Sequence, residues 1–149
     1  MMFRFLRPGR LGDGELELVL VSLGALVKKG YGPSYQFEMR RTGTPRVLGT
    51  IRLRIGTATK LRYAGHIGFG VNQRYRGHRY AARSCALLLP FARAHGLRAV
   101  WLTCDPKNVA SQKSCLIAGA RYVGTIRVPE THDLYRRGTK YVRRYRIAL

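Results

Sequence analysis

The stretch VNQRYRGHRYAARS (Val71–Ser84) joins a glycine-broken apolar run, GHIGFGV (Gly65–Val71), to a segment with helical periodicity. The first turn of a helix leaves backbone N–H groups unsatisfied and carries roughly half a positive charge. A strand ending near Val71 and a helix starting near Arg79 therefore enclose a turn suited to an anion, and Arg74, Arg76 and Arg79 strengthen its field. On these residues alone the guest is a pyrophosphate, a sulfate or an RNA phosphate. The plain alternative is a solvated basic turn.

Downstream, Ala81, Cys85, Leu88, Leu89 and Ala92 fall on one face of a helix from about Tyr80 to His95. Pro90 is expected to kink its last turns and Gly96 to end it. RAVWLTC (Arg98–Cys104) is continuously apolar and predicts a fully buried strand. DPKNVASQKSCLIAGA (Asp105–Ala120) predicts a turn and a short helix ending at Gly119. RYVGTIRV (Arg121–Val128) and KYVRRYRIAL (Lys140–Leu149) are closing strands, with His132 and Asp133 in the polar loop between them.

Upstream, GELELVLVSL (Gly14–Leu23) sets Leu16, Leu18 and Leu20 against Glu15 and Glu17, which is strand periodicity. KKGYGPS (Lys28–Ser34) predicts a loop. YQFEMRR (Tyr35–Arg41) and RVLGTIRLRI (Arg46–Ile55) form a hairpin through the turn residues Thr42–Pro45. The order predicts a mixed α/β sheet, mostly antiparallel, with a parallel pair, Gly65–Gln73 and Arg98–Cys104, at its centre. No internal repeat interrupts it.

The 149 residues predict one domain over 1–149, and the 46% apolar content can fill an ordinary core. The charge is unusual: 28 Lys and Arg against 7 Asp and Glu, net +21. Such a balance favours polyanionic company (nucleic acid, anionic lipid or a phosphorylated ligand) without choosing among them. Cys85, Cys104 and Cys115 lack metal-ligand spacing and are odd in number, so reduced buried thiols and no metal are expected. No apolar run reaches the length of a membrane span, and the start of the chain lacks a signal-peptide core. A cytoplasmic protein is expected.

These motifs resemble the GNAT superfamily of acyl-CoA-dependent N-acetyltransferases, over about Arg46–Leu149. GHIGF (Gly65–Phe69) resembles the G-H-I-G-Y segment of small members. The superfamily's phosphate loop, [Q/R]-x-x-G-x-[G/A], is matched by Arg76 and Ala81, with Arg79 in place of the central glycine. Farther on, Asn108, Ser111 and Gly119 match, while Cys115 replaces the usual aromatic residue. The resemblance implies a GNAT fold whose central parallel strands splay apart around acetyl-CoA, with flanking helices. Phe69, Gly70 and Val71 would hold the pantetheine arm, and a backbone N–H near Val71 would polarise the thioester carbonyl. Arg76, Gly77, His78, Arg79, Tyr80 and Ala81 would cradle the pyrophosphate, and Asn108 and Ser111 would face the cofactor arm. Arg79 is expected to keep ordinary helical angles and swing outward as a phosphate clamp.

The implied reaction is direct attack of an amine on the thioester. His66 is the first candidate for the base, against a structural histidine held by a backbone carbonyl; Glu38 is the second. Cys115 is the candidate acid for the leaving thiolate, against a buried inert thiol. Glu130 and Asp133 are the other acids, in the late loop. Trp101 is expected in the core.

The acceptor side of this superfamily lies against the N-terminal part, which is short here (Gly24–Ser34), leaving an open cleft or one completed by a second copy as a homodimer. The positive surface disfavours polyamines and suits an acidic protein, a ribosomal assembly or an anionic small amine. Two rival readings stand: a basic RNA- or ribosome-associated binder, suggested by KYVRRYRIAL, and a degenerate protein that binds CoA without turnover.

Overall fold

A computed structural model of the chain describes residues 3–24 and 31–149. The loop expected at Lys28–Ser34 and the short acceptor-side segment at Gly24–Ser34 fall partly on 25–30, outside the described residues. Eight strands form one sheet: β1 (Leu11–Gly12), β2 (Leu16–Gly24), β3 (Ser34–Arg41), β4 (Val47–Arg54), β5 (Ile67–Val71), β6 (Ala99–Cys104), β7 (Arg121–Arg127) and β8 (Tyr141–Ala148). Their order across the sheet is β1-β2-β3-β4-β5-β6-β8-β7. Every neighbouring pair is antiparallel except β5 and β6. Helix α1 (Tyr80–Ala94) links the parallel strands, α2 (Val109–Ile117) follows β6, and the single-turn α3 (Asp133–Arg136) lies between β7 and β8. This is the mixed, mostly antiparallel α/β architecture that the sequence predicts.

Alternation builds the core. Tyr35, Phe37 and Met39 point one way from β3, Ile51 and Leu53 from β4, and Val100 and Leu102 from β6. They pack with Cys85, Leu88 and Phe91 of α1 and Cys115 of α2 in one cluster, so both helices cover the same face. Pro90 sits within α1 without interrupting it. A bidentate contact from Arg83 to Asp13 (2.8 and 3.0 Å), with Glu15 on a further nitrogen at 2.9 Å, ties α1 to the segment before β2.

One expectation is corrected. β6 is not buried throughout: Val100, Leu102 and Cys104 are buried, whereas Ala99, Trp101 and Thr103 are only half-buried. Among the described residues, no helix longer than one turn covers the second face of the sheet. Trp101 therefore stands on that face, with the Arg144 guanidinium 4.0 Å above its ring.

Candidate active site

The two parallel strands touch at one end only. Ile67 pairs with Leu102, and the His66 N–H donates to Trp101 O at 2.7 Å. Beyond Ile67, β5 continues its ladder with β4, where Thr50 faces Gly70 and Gly49 faces Val71, while its other edge has no partner in β6. The result is a wedge whose wall is the backbone of Gly68–Val71. Gly65 turns the chain into it at φ +76°, where a Cβ would lie 2.8 Å from Trp101 O. Glycine is required there by both angle and space.

On the helix side of the wedge lies a cavity of about 220 Å³. Phe69, Gly70, Val71, Arg76, Gly77, Arg79, Tyr80, Ala81, Asn108 and Ser111 all line it, so ten of the eleven residues implied for the cofactor meet in one place. His78 does not line it; its ring lies 5.3 Å from that of Tyr80. A 3-10 turn (Gln73–Tyr75) shapes the entry, and Arg76 Nε donates to Val71 O at 3.2 Å, tying the loop to the end of β5. Asn108 caps α2 by accepting the Ser111 N–H at 3.1 Å.

Arg79 departs from expectation. It does not keep helical angles: at φ 60° and ψ 25° it is the N-cap of α1 in the left-handed region, the one non-glycine residue there among those described. The step from the 3-10 turn into α1 demands this conformation, which costs an L-residue about 1–2 kcal/mol. Its side chain does not cap the helix, so the first-turn N–H groups have no side-chain acceptor, and Tyr80 and Ala81, which carry two of them, line the cavity. Those donors, with two arginines beside them, fit a pyrophosphate.

The three implied catalytic side chains sit elsewhere. His66 is 2% exposed, and both ring nitrogens are engaged by backbone: Nε2 with Gly56 O at 3.0 Å, and Nδ1 accepting the Trp101 N–H at 3.0 Å. Burial holds its pKa below the ordinary value, so the ring is a neutral strut with no lone pair for an amine. Cys115 is 1% exposed and turns into the core. Its thiol hydrogen-bonds Cys104, and that contact together with burial pushes its pKa far up, so it stays an inert S–H. Glu38 pairs with Arg40 on β3, with Nε at 3.0 Å, and lines none of the cavities beside the wedge.

On the other side of the wedge a larger cavity, about 310 Å³, collects residues that sequence reading did not assemble. Tyr31, Arg52, Arg54, Asp105, Asp133 and Arg137 supply its polar wall, and Gly68 belongs to its floor. The Tyr31 hydroxyl donates to Asp133, Arg137 lies 3.8 Å from the same carboxylate, and burial with that hydrogen bond pushes the Tyr31 pKa well up. An open groove bearing Arg52, Arg54, Gly68, Phe69 and Gly70 connects the two cavities. Among the described residues, no group of three His, Cys, Asp or Glu stands close enough to hold a metal, and no helix is long and apolar enough to cross a membrane.

Comparison with known proteins agrees with this fold. No protein of curated function matches the sequence. Solved structures do match in fold. A Vibrio cholerae protein assigned as a ribosomal-protein-serine acetyltransferase superposes with a TM-score of 0.69 at 17% identity, over 97% of this chain and all of that one. An acetyltransferase of Salmonella typhimurium that modifies the N-terminal serine of ribosomal protein L7/L12 gives 0.60 at 17% identity, over 83% and 67%. The microcin C7 self-immunity acetyltransferase MccE, solved with acetyl-CoA and AMP, gives 0.59 at 13%, over 78% and 61%. Residues 15–121 match the family model of the acetyltransferase (GNAT) domain, which begins well before Arg46, where the resemblance read from the motifs starts. The chain belongs to the GNAT acetyltransferases and is an N-acetyltransferase.

Proposed function

We propose that this chain transfers an acetyl group from acetyl-CoA to a primary amine by direct attack in a ternary complex, as a single acetyltransferase domain with a short acceptor-side segment. The observation that carries the reading is the meeting of the anion cradle and the unpaired edge of β5 at Gly70–Val71. The donor supplies an activated thioester. The backbone of Phe69–Val71 lies along its arm as an added strand would, and a β5 N–H donates to the carbonyl oxygen on which negative charge develops. The first-turn N–H groups of α1, with Arg76 and Arg79, hold the pyrophosphate.

The acceptor enters from the opposite cavity. Asp133 orients its ammonium there, a proton leaves through that carboxylate or through water in the open groove, and the neutral amine attacks the thioester carbon; the C–S bond then breaks and CoA departs as a thiolate that takes its proton from water. No nucleophile of the protein intervenes. Several solved relatives of this fold are named for acetylating ribosomal proteins, which supports a peptide α-amine as the acceptor. Base stacking on KYVRRYRIAL is disfavoured, because Tyr145 is buried in the core and Tyr141 alone is left to offer a ring face.

Thermal unfolding with and without acetyl-CoA at low salt tests the assignment. A ligand that binds only the native state raises the midpoint with the logarithm of its concentration. An unmoved midpoint at saturating acetyl-CoA sinks it, and a shift without transfer to any amine identifies a binder without turnover.

A further inference from the structure

Arg54 is a cation whose surroundings call for an explanation. It lies on β4 on the face opposite the core, in both the acceptor-side cavity and the groove leading to the wedge. Its guanidinium is half-buried, lying 5.2 Å from the centre of the Tyr31 ring, and Nη1 reaches the carbonyls of Ala64 and Gly65 at 3.4 and 3.3 Å. Among the described residues no carboxylate comes within ion-pair distance of it; that of Asp133 acts on it only from farther off, across the same cavity. Burial, and then neighbouring Arg52, hold its pKa below that of an ordinary guanidinium, the sign of a charge placed where it is not well solvated.

A cation in such a place normally has a counter-ion. Nη1 also lies 3.5 Å from where a Cβ on Gly68 would stand, so the missing side chain leaves room beside the wall of the wedge. Arg52 is two residues away on the same face, with its Nε held by Gln36 at 2.8 Å.

We propose that Arg54, assisted by Arg52, binds a carboxylate carried by the acceptor, so that the substrate is an aminocarboxylate or a peptide amine with an acidic residue beside it. This rests on the acetyl-transfer reading above. The cavity has both signs: Arg52, Arg54 and Arg137 face Asp105 and Asp133. The three cations repel a polyamine. The two carboxylates disfavour a phosphate dianion but tolerate a singly charged carboxylate, whose planar oxygens match the guanidinium fork. The complement is a dipolar ligand with one ammonium and one carboxylate.

The test compares Ala-Asp-Ala-Ala and Ala-Asn-Ala-Ala, both amidated at the C-terminus, as acceptors with acetyl-CoA; free aspartate serves as the small-molecule arm. The aspartyl peptide or aspartate should exceed the asparaginyl peptide by about tenfold or more in kcat/KM, chiefly through KM, because a charge-assisted contact is at stake. Whichever of the two wins identifies the source of the carboxylate. Arg54→Met should bring the peptides to within about threefold of each other, and Arg52→Gln should narrow the gap partway. Equal use of both peptides by the wild-type protein, with aspartate no better than either, overturns the proposal, as does a preference that survives Arg54→Met in a folded variant. If acetyl-CoA binds and no amine is acetylated, anisotropy of labelled N-acetylated versions of the same peptides decides on the same criterion. Failure to bind acetyl-CoA condemns the acetyl-transfer reading instead.

Discussion

Arg79 puts a cation where the proposed cradle would use one, in a conformation that suits another residue. Its left-handed angles suit glycine, which reaches them without the steric cost an L-side chain meets. It sits at the N-cap and not inside α1, so Arg79→Gly escapes the usual penalty of glycine in a helix. The variant should therefore be more stable by about 1 kcal/mol, raising the melting midpoint by roughly 2–4 °C in a chain of this size. Binding of CoA should move the other way and become less salt-dependent, since a cation has left the cradle. Calorimetry at matched ionic strength reads both signs. Tighter binding would mean that the arginine obstructs the pyrophosphate. The cradle was legible because its residues are local: Arg76, Gly77, Tyr80 and Ala81 lie in one turn, and Asn108 is followed at its proper spacing by Ser111. Left-handed angles at Arg79 were not legible, because arginine is the wrong residue to announce them. Tyr31, Arg54 and Asp133 were missed as a group because they lie far apart in sequence and meet only through the sheet.

At the scale of elements, the wedge depends on where β5 and β6 stop touching, and His66 marks that place. His66→Ala would orphan Trp101 N–H and Gly56 O, each costing about 1–3 kcal/mol when buried. The same contacts set a pH dependence. Burial holds the folded-state pKa of His66 below its ordinary value near 6.5, so as pH falls below about 6.5 the unfolded chain takes up a proton that the native ring refuses. Stability should therefore decline from pH 7 towards pH 5 and level off below the native pKa. Urea unfolding across that range should show the slope in the wild-type protein and a smaller one in His66→Ala; an equal slope in both would place the titration elsewhere. The hairpin of β3 and β4, the α1 segment and the parallel pair could be read from alternation, helical spacing and turn residues. Two things could not. β1 is two residues long and has no period of its own, and the half-exposure of β6 depends on whether helices cover both faces of the sheet. A continuous apolar run is silent on that.

The whole molecule is governed by its charge. Seven carboxylates cannot neutralise 28 cations, and several are already committed: Asp13 and Glu15 to Arg83, Glu38 to Arg40, Glu130 to Arg127, and Asp133 near Arg137. The open face of the sheet concentrates the excess, since Arg52 and Arg54 of β4 point the same way as Arg144 and Arg146 of β8, which stand opposite Thr103 and Trp101. Compaction brings these like charges together, so repulsion is larger in the native state than in the extended chain. Raising NaCl from about 0.1 M to about 1 M shortens the screening length from about 10 Å to about 3 Å. Screening removes far more repulsion than attraction here, because the few ion pairs are close and partly exposed and contribute little each. The melting midpoint should accordingly rise with salt. Affinity for acetyl-CoA should fall over the same range, since its phosphates are drawn by the field that destabilises the fold. These opposite slopes, read by calorimetry on one preparation, follow if unmatched cations are retained for an anionic ligand. A midpoint that falls with salt would show that ion pairs, few as they are, outweigh the repulsion.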